Sequence, residues 1–189
     1  MNDGLVNILR QYHPVSPTLA LELSTVVFYV SKPGDIVLVR PPEVPEHLYF
    51  IISGFAMAFT HFDQRRYVES FYKEGQVIFV KEFLSQSPAS VTIVTTRQSE
   101  MIALSFHHFS RLVESVAEAN SAYRELLAGF VKDLLTRIKE LQTLDAFQRF
   151  EKLRERYANI ERLAPQEAIA SYLGIAPPSL SRIKRTRRI

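Results

Sequence analysis

The spacing of apolar and polar positions changes once along the chain, near Leu104. From about Ser24 up to that point, short apolar runs alternate with turn residues at roughly the 8 to 12 residue interval of sandwiches and barrels. The runs are Val26 to Val30, Ile36 to Val39, Leu48 to Ile52, Phe55 to Phe59, Tyr67 to Tyr72, Val77 to Val80, Val91 to Thr96 and Met101 to Leu104. Each predicts a strand, so this half reads as all-β. The intervening Lys32-Pro33-Gly34-Asp35, Pro41-Pro42, Ser53-Gly54, Asp63-Gln64-Arg65, Glu74-Gly75 and Gln86-Ser87-Pro88 have turn chemistry. In Phe55-Ala56-Met57-Ala58-Phe59 a period of two sets three large side chains on one face and two alanines on the other, as in a core strand.

Beyond Leu104 the period is helical. Ser105 is placed to cap a short helix over Phe106 to Val113, and Ser115-Val116-Ala117-Glu118 has capping-box spacing for a second, longer helix. In that helix, from Ala117 to about Gln142, the apolar positions Tyr123, Leu127, Phe130, Leu134, Ile138 and Leu141 advance by four, three, four, four and three residues. At 1.5 Å per residue it is roughly 39 Å long, more than a small β-domain needs for packing. Part of it is expected to pair with a second copy through Tyr123, Leu127, Phe130 and Leu134, and Gly129 allows a neighbour to approach closely. A third helix is expected over Asp145 to Tyr157, and Pro165 is suited to open another at its first position.

Residues Gln166 to Arg185 carry the pattern of a helix-turn-helix. Ala170 is the small residue at the helix crossing, Gly174 the turn residue four positions later, and Ile169, Leu173, Ile175, Leu180 and Ile183 take the apolar offsets. The second helix should start near Pro177 and present Ser179, Ser181, Arg182 and Arg185 outward. Net charge over the 189 residues is only +3, but from Leu144 to Ile189 ten Lys/Arg face five Asp/Glu. Five cations lie in the last eight residues: Arg182, Lys184, Arg185, Arg187 and Arg188. Such a run is either a solvated tail or a surface for a polyanion, on which Arg182 and Arg185 can meet base edges or phosphates and Lys184, Arg187 and Arg188 mainly phosphates.

Composition narrows the chemistry. There is no cysteine, which excludes disulfides, thiolate metal sites and a cysteine nucleophile. No secretory leader is read at the N-terminus, and the longest near-apolar run, Leu48 to Phe59, has twelve residues, too few for a membrane span. A cytoplasmic protein without a membrane partner is expected. His13, His47, His61, His107 and His108 form no metal-ligand spacing; the last two project about 100° apart on a helix. No phosphate loop, nucleophile elbow or HExxH motif occurs, so no catalytic residue, metal or cofactor is assigned and the chain is not read as an enzyme.

Lys32-Pro33-Gly34-Asp35, Leu48 to Gly54, Phe71 to Gly75 and Gln166 to Arg182 together resemble the Crp/Fnr superfamily of bacterial transcription regulators, over roughly residues 5 to 185. The resemblance implies an α+β protein: an N-terminal antiparallel, jelly-roll-like β-roll of the cyclic-nucleotide-binding type (1–115), a dimerisation helix (116–142) and an all-α helix-turn-helix domain binding double-stranded DNA (143–189). Ala170 to Ile175 and Ser179 to Ile183 are especially similar to members that stop just after the recognition helix. The β-wing is then expected to be missing, with the basic tail supplying phosphate contacts. Members that bind cyclic nucleotides use Gly-Glu-Leu followed by Arg-Ser-Ala. The ungapped match puts Phe79 at the glycine, Val80 at the glutamate, Ala89 at the arginine and Ser90 at the serine. Both charged determinants are replaced, so cyclic AMP is not expected as effector, and the pocket is either structural or takes an unidentified small molecule. In the family's Ser-Arg-Glu-x-Val-x-Arg recognition pattern, Arg182 matches the closing arginine, but Pro177 and Pro178 replace the earlier arginine and glutamate. The alternative is a β-roll sensor or interaction protein that has lost DNA binding.

Overall fold

The computed structural model describes residues 3–31, 35–96 and 98–186, so the Lys32-Pro33-Gly34 turn lies outside the described residues. The apolar runs become β1 (Val27–Ser31), β2 (Val37–Val39), β3 (His47–Ser53), β4 (Phe55–Phe62), β5 (Arg65–Lys73), β6 (Val77–Ile78), β7 (Thr92–Thr95) and β8 (Glu100–Ser105). They pair antiparallel in two sheets, β1-β8-β3-β6 and β2-β7-β4-β5. Gly54 turns β3 into β4 at φ +104°, and a Cβ there would stand 2.7 Å from the Ser99 Cα, so only glycine fits without strain.

Two helices precede the roll, α1 (Asp3–Leu9) and α2 (Pro17–Val26), and neither was anticipated. Ser16 caps α2 by accepting from the Leu19 N–H, with Pro17 at the first helical position. A short α3 (Lys81–Ser85) interrupts the strands and ends on Gln86 in the left-handed region. Next come α4 (Phe106–Ser115), capped by Ser105 as expected, and the 27-residue α5 (Ala117–Thr143). The capping box at Ser115 does not form. Because α4 runs through Ser115, its hydroxyl donates to the Arg111 carbonyl of its own last turn, and Val116 caps α5 without a side-chain bond. Glu118 instead accepts from the Ser16 N–H at 2.6 Å and from the Ser16 hydroxyl.

The remaining helices are α6 (Ala146–Arg156), α7 (Ile160–Leu163), α8 (Gln166–Leu173) and α9 (Pro177–Thr186). Asp145 and Gln148 form a reciprocal capping box on α6. Pro165 is the N-cap of α8, one position before the role expected of it.

β4 is buried on both faces. Ala56 and Ala58 face the roll interior with Val39, Ile51 and Ile93, whereas Phe55 and Phe59 join Val68 and Phe71 of β5 in a second core. That core is completed by Phe150, Leu153, Tyr157, Ile160, Tyr172 and Leu173 of the C-terminal helices. The Tyr157 phenol donates to the Phe71 carbonyl at 2.7 Å across this seam. β5 is the edge of its sheet, and Ser171 of α8 occupies that edge: its hydroxyl accepts from the Val68 N–H (2.9 Å) and donates to the Arg66 carbonyl (3.1 Å).

Phe71→Ala should therefore lose about 3 to 5 kcal/mol of stability, because its side chain is 2% exposed and belongs to the seam. Tyr157→Phe, which withdraws one buried hydrogen bond, should lose about 1 kcal/mol. Urea denaturation followed by far-ultraviolet circular dichroism measures both.

Candidate nucleic-acid interface and effector cavity

The α8–α9 pair is built as the spacing predicts. Gly174 closes α8 at φ +68°, and the Ile175 N–H returns to the Ala170 carbonyl at 3.0 Å. Ile169, Ala170, Leu173 and Leu180 are buried, and Ile175 and Ile183 pack half-buried against the same core. On α9, Ser181, Arg182 and Arg185 are exposed and Ser179 is half-buried. Arg182 donates to the Ser179 hydroxyl at 3.2 Å, and Gln166 donates to the Ser181 hydroxyl at 2.6 Å. Lys184, expected to point at phosphate, is held by Glu161 at 2.7 Å. Arg187 and Arg188 lie outside the described residues.

Much of the C-terminal positive charge is engaged internally. The Arg137 guanidinium of α5 stacks 3.9 Å above the Tyr172 ring and donates to the Tyr172 carbonyl. Arg149 donates to the carbonyls of Leu173 (3.1 Å) and Leu144 (2.6 Å). Arg156 bridges Glu140 (2.8 Å) and the Tyr172 phenol (3.3 Å). Arg137 and Arg149 thus satisfy carbonyls at the C-terminal end of α8, where a helix favours cations. Burial pulls the Arg137 pKa down, partly opposed by Tyr172 and Glu140.

Beside this network lies a cavity of about 100 Å³ where three parts of the chain meet. Glu69, Tyr72 and Phe79 line it from the roll, Phe130, Asp133 and Arg137 from α5, and Arg156, Tyr157 and Tyr172 from the C-terminal helices. Burial pushes the Tyr72 phenol up to about 12; its hydroxyl donates to the Phe79 carbonyl. Burial also raises the Glu69 carboxyl, with Lys81 opposing and Glu82 adding to the shift.

The four residues matched to the nucleotide cassette are part of the packing. Val80 and Ala89 are buried in the roll core, Phe79 lies 4.9 Å from the Phe130 ring, and Ser90 donates to Glu82 at 2.6 Å. Glu82 was missed by the ungapped match, standing two positions beyond Val80. It is 7% exposed, with Lys81 3.6 Å away. Burial pushes its carboxyl up, but the hydrogen bonds from Ser90 and the charge of Lys81 prevail, and its pKa is lowered. Among the described residues no group of three or more His, Asp or Glu side chains is arranged to hold a metal ion. No helix there is long and apolar enough to cross a membrane.

The apolar stripe of α5 divides. Tyr123 packs 5.1 Å from Phe109 and Phe130 against Phe79, both inside the chain, and the neighbour that Gly129 admits is Tyr12. The outer line is Leu127, Val131, Leu134, Ile138 and Leu141, spaced four, three, four and three. From Val131 onward these side chains are 44 to 52% exposed. This is the heptad spacing of a coiled-coil seam, legible in the sequence had Val131 been preferred to Phe130.

Residues 30–116 match the Cyclic nucleotide-binding domain family. No curated protein matches the sequence. Solved structures do, over nearly the whole chain. FixK2 from Bradyrhizobium japonicum is 17% identical over 85% of this chain and 84% of its own, with a TM-score of 0.70. CLP of Xanthomonas campestris, described as a c-di-GMP responsive global regulator, is 16% identical over 89% of each chain, with a TM-score of 0.67. A protein from Eubacterium rectale described as a transcriptional regulator of the crp/fnr family is 14% identical over 94% of this chain and 88% of its own, with a TM-score of 0.73. At these identities the likeness is one of fold. The fold shared with them is an antiparallel β-roll, a long helix and a further set of helices.

Because the Glu82 pKa is lowered on folding, its contribution to stability is present above pH 4.5 and is lost as the pH falls through the lower folded value. Glu82→Gln should flatten the acid limb of the stability profile below that pH, which urea denaturation at a series of pH values reports.

Proposed function

We propose that the protein is a homodimeric, sequence-specific DNA-binding transcription regulator of the Crp/Fnr type that does not respond to cyclic AMP. The observation carrying this reading is the α8–α9 pair, in which Gly174 makes the turn, Ala170 and Leu180 are buried at the crossing, and Arg182 and Arg185 remain on the outer face of the second helix. That is the arrangement with which a helix-turn-helix lays its second helix in the major groove. In this reading Arg182 meets a base edge, while Ser179, Ser181, Arg185, Arg187 and Arg188 meet phosphates or line the interface. Lys184 exchanges Glu161 for a phosphate or stays with it. The effector, a small molecule of unidentified kind, has the cavity between the roll, α5 and Tyr172 as its site. Divided at 115 and 142, the chain has a sensor, a dimerisation helix and a DNA-binding unit.

An unbiased selection of DNA fragments by the purified protein tests this reading. Recovered sites should be pseudo-palindromes whose half-sites lie roughly 34 Å apart. Arg182→Ala should cost about 1 to 3 kcal/mol on the preferred site and flatten preference at one base position, as binding titrations measure. Recovery of no sequence preference by the wild type would favour the sensor without DNA binding.

The dimer is formed by the seam Leu127, Val131, Leu134, Ile138 and Leu141, flanked by Tyr123 and Phe130. Light scattering should find a dimer for the wild type and a folded monomer for Val131→Lys/Ile138→Lys, since these side chains are 52% and 51% exposed in the single chain. Calorimetry with millimolar cyclic AMP or cyclic GMP should give no saturable heat, because Val80 and Ala89 offer no partner to the ribose or the phosphate.

A further inference from the structure

We propose that the tip of the β4–β5 hairpin is a second DNA-contacting element, with Arg65 and Arg66 meeting phosphates beside the groove that α9 occupies; this rests on the DNA-binding reading above. The tip is a two-residue turn, Asp63 and Gln64 at φ 49° and 60°, the geometry that suits tight hairpins and holds the next residues in fixed directions. It does not project away from the helices. Gln64, Arg65 and Arg66 line one open cleft with Gly174, Ala176 and Pro177, the turn and the first residue of α9. A recognition helix enters the groove by its N-terminal end, and Arg182 follows Pro177 by less than two turns, so the hairpin flanks the end of α9 that enters the groove.

Two features favour DNA over a protein as the partner of this tip. The first is charge: Arg65 and Arg66 are exposed on the hairpin, and Arg182 and Arg185 are exposed on α9, against Asp63 at the tip and Glu167 in the cleft. Two like-charged surfaces side by side do not attract each other, and a polyanion laid across both satisfies them together. The second is rigidity. The two Ser171 hydrogen bonds to Val68 and Arg66 fix the base of the tip to α8, and the Arg66 guanidinium lies 4.3 Å above the Phe59 ring, so the backbone of the tip and one of its two cations are held in place before binding.

The test is the salt dependence of binding, by fluorescence anisotropy, to a random-sequence duplex of about 30 base pairs and to a duplex recovered by selection. With two phosphate contacts removed, Arg65→Ala/Arg66→Ala should lower the slope of log affinity against log salt by about two on both duplexes. Sequence preference should be unchanged. Arg65→Ala alone, which leaves the Arg66–Phe59 contact intact, should lower it by about one, and Arg65→Lys should restore it. An unchanged slope in the double variant, with wild-type binding intact, overturns the hairpin contact and leaves the DNA-binding reading standing. Tighter binding by the double variant also overturns it and makes the hairpin a shield over α9. Failure of the wild type to bind either duplex overturns both.

Discussion

The structure depends on one shared apolar surface, the outer face of β4 and β5. A sheet that forms one wall of a roll needs only its inner face buried, and here Ala56 and Ala58 serve that face. The outer face carries Phe55, Phe59, Val68 and Phe71, and would expose a large apolar patch if left uncovered. α6, α7 and α8 cover it with Phe150, Leu153, Tyr157, Ile160, Tyr172 and Leu173. The C-terminal helices are therefore part of the same cooperative structure as the roll, and the small helical unit gains apolar burial that its own short helices would not supply.

Polar contacts then determine how that surface is covered. Hydrophobic burial has no direction, but the Tyr157 phenol on the Phe71 carbonyl and the Ser171 hydroxyl between Val68 and Arg66 set the register of the helices on the strand. Arg137 and Arg149 bind the end of α8 from α5 and α6, so the long helix, the sheet edge and the first helix of the α8–α9 pair are joined around Tyr172. The N-terminal segment adds a second clasp, with Ser16 on Glu118 and Tyr12 against Gly129. α5 is consequently gripped along its inner face and leaves Val131, Leu134, Leu135, Ile138 and Leu141 exposed on its outer side.

How much of this was legible in the sequence follows the range of each determinant. Strands and capped helices are specified locally. Each of the eight apolar runs became a strand, and Ser105 and Gly174 act where their spacing places them. The Phe55 and Phe59 stripe was read as core, but nothing in its period of two tells which layer lies against it. α1 and α2 are short helices of seven and ten residues, held in place by packing a few apolar side chains such as Leu5, Ile8, Leu19 and Leu23 rather than by their own propensity. The Ser115 capping box has the right spacing, but the partner that captures Glu118 is Ser16, 102 residues away. Glu82 escaped the ungapped alignment because its importance lies in burial and in the bond from Ser90, neither of which a linear pattern contains.

The same long-range contacts decide where a small molecule would have leverage. A ligand shifts a conformational equilibrium only through contacts that differ between the states. The cavity near Tyr172 has walls from the roll, from α5 and from the C-terminal helices, so its shape depends on how all three are packed. The cassette positions Val80 and Ala89 belong to the first core, which shares no buried residue with the core that holds α8. Phe79 connects the two regions, since its ring meets Phe130 of α5 and its carbonyl accepts from the buried Tyr72 phenol. A molecule that displaced the Phe79 ring would act first on the inner face of α5. From there α5 is joined to α8 by Arg137 on Tyr172 and by Glu140 through Arg156.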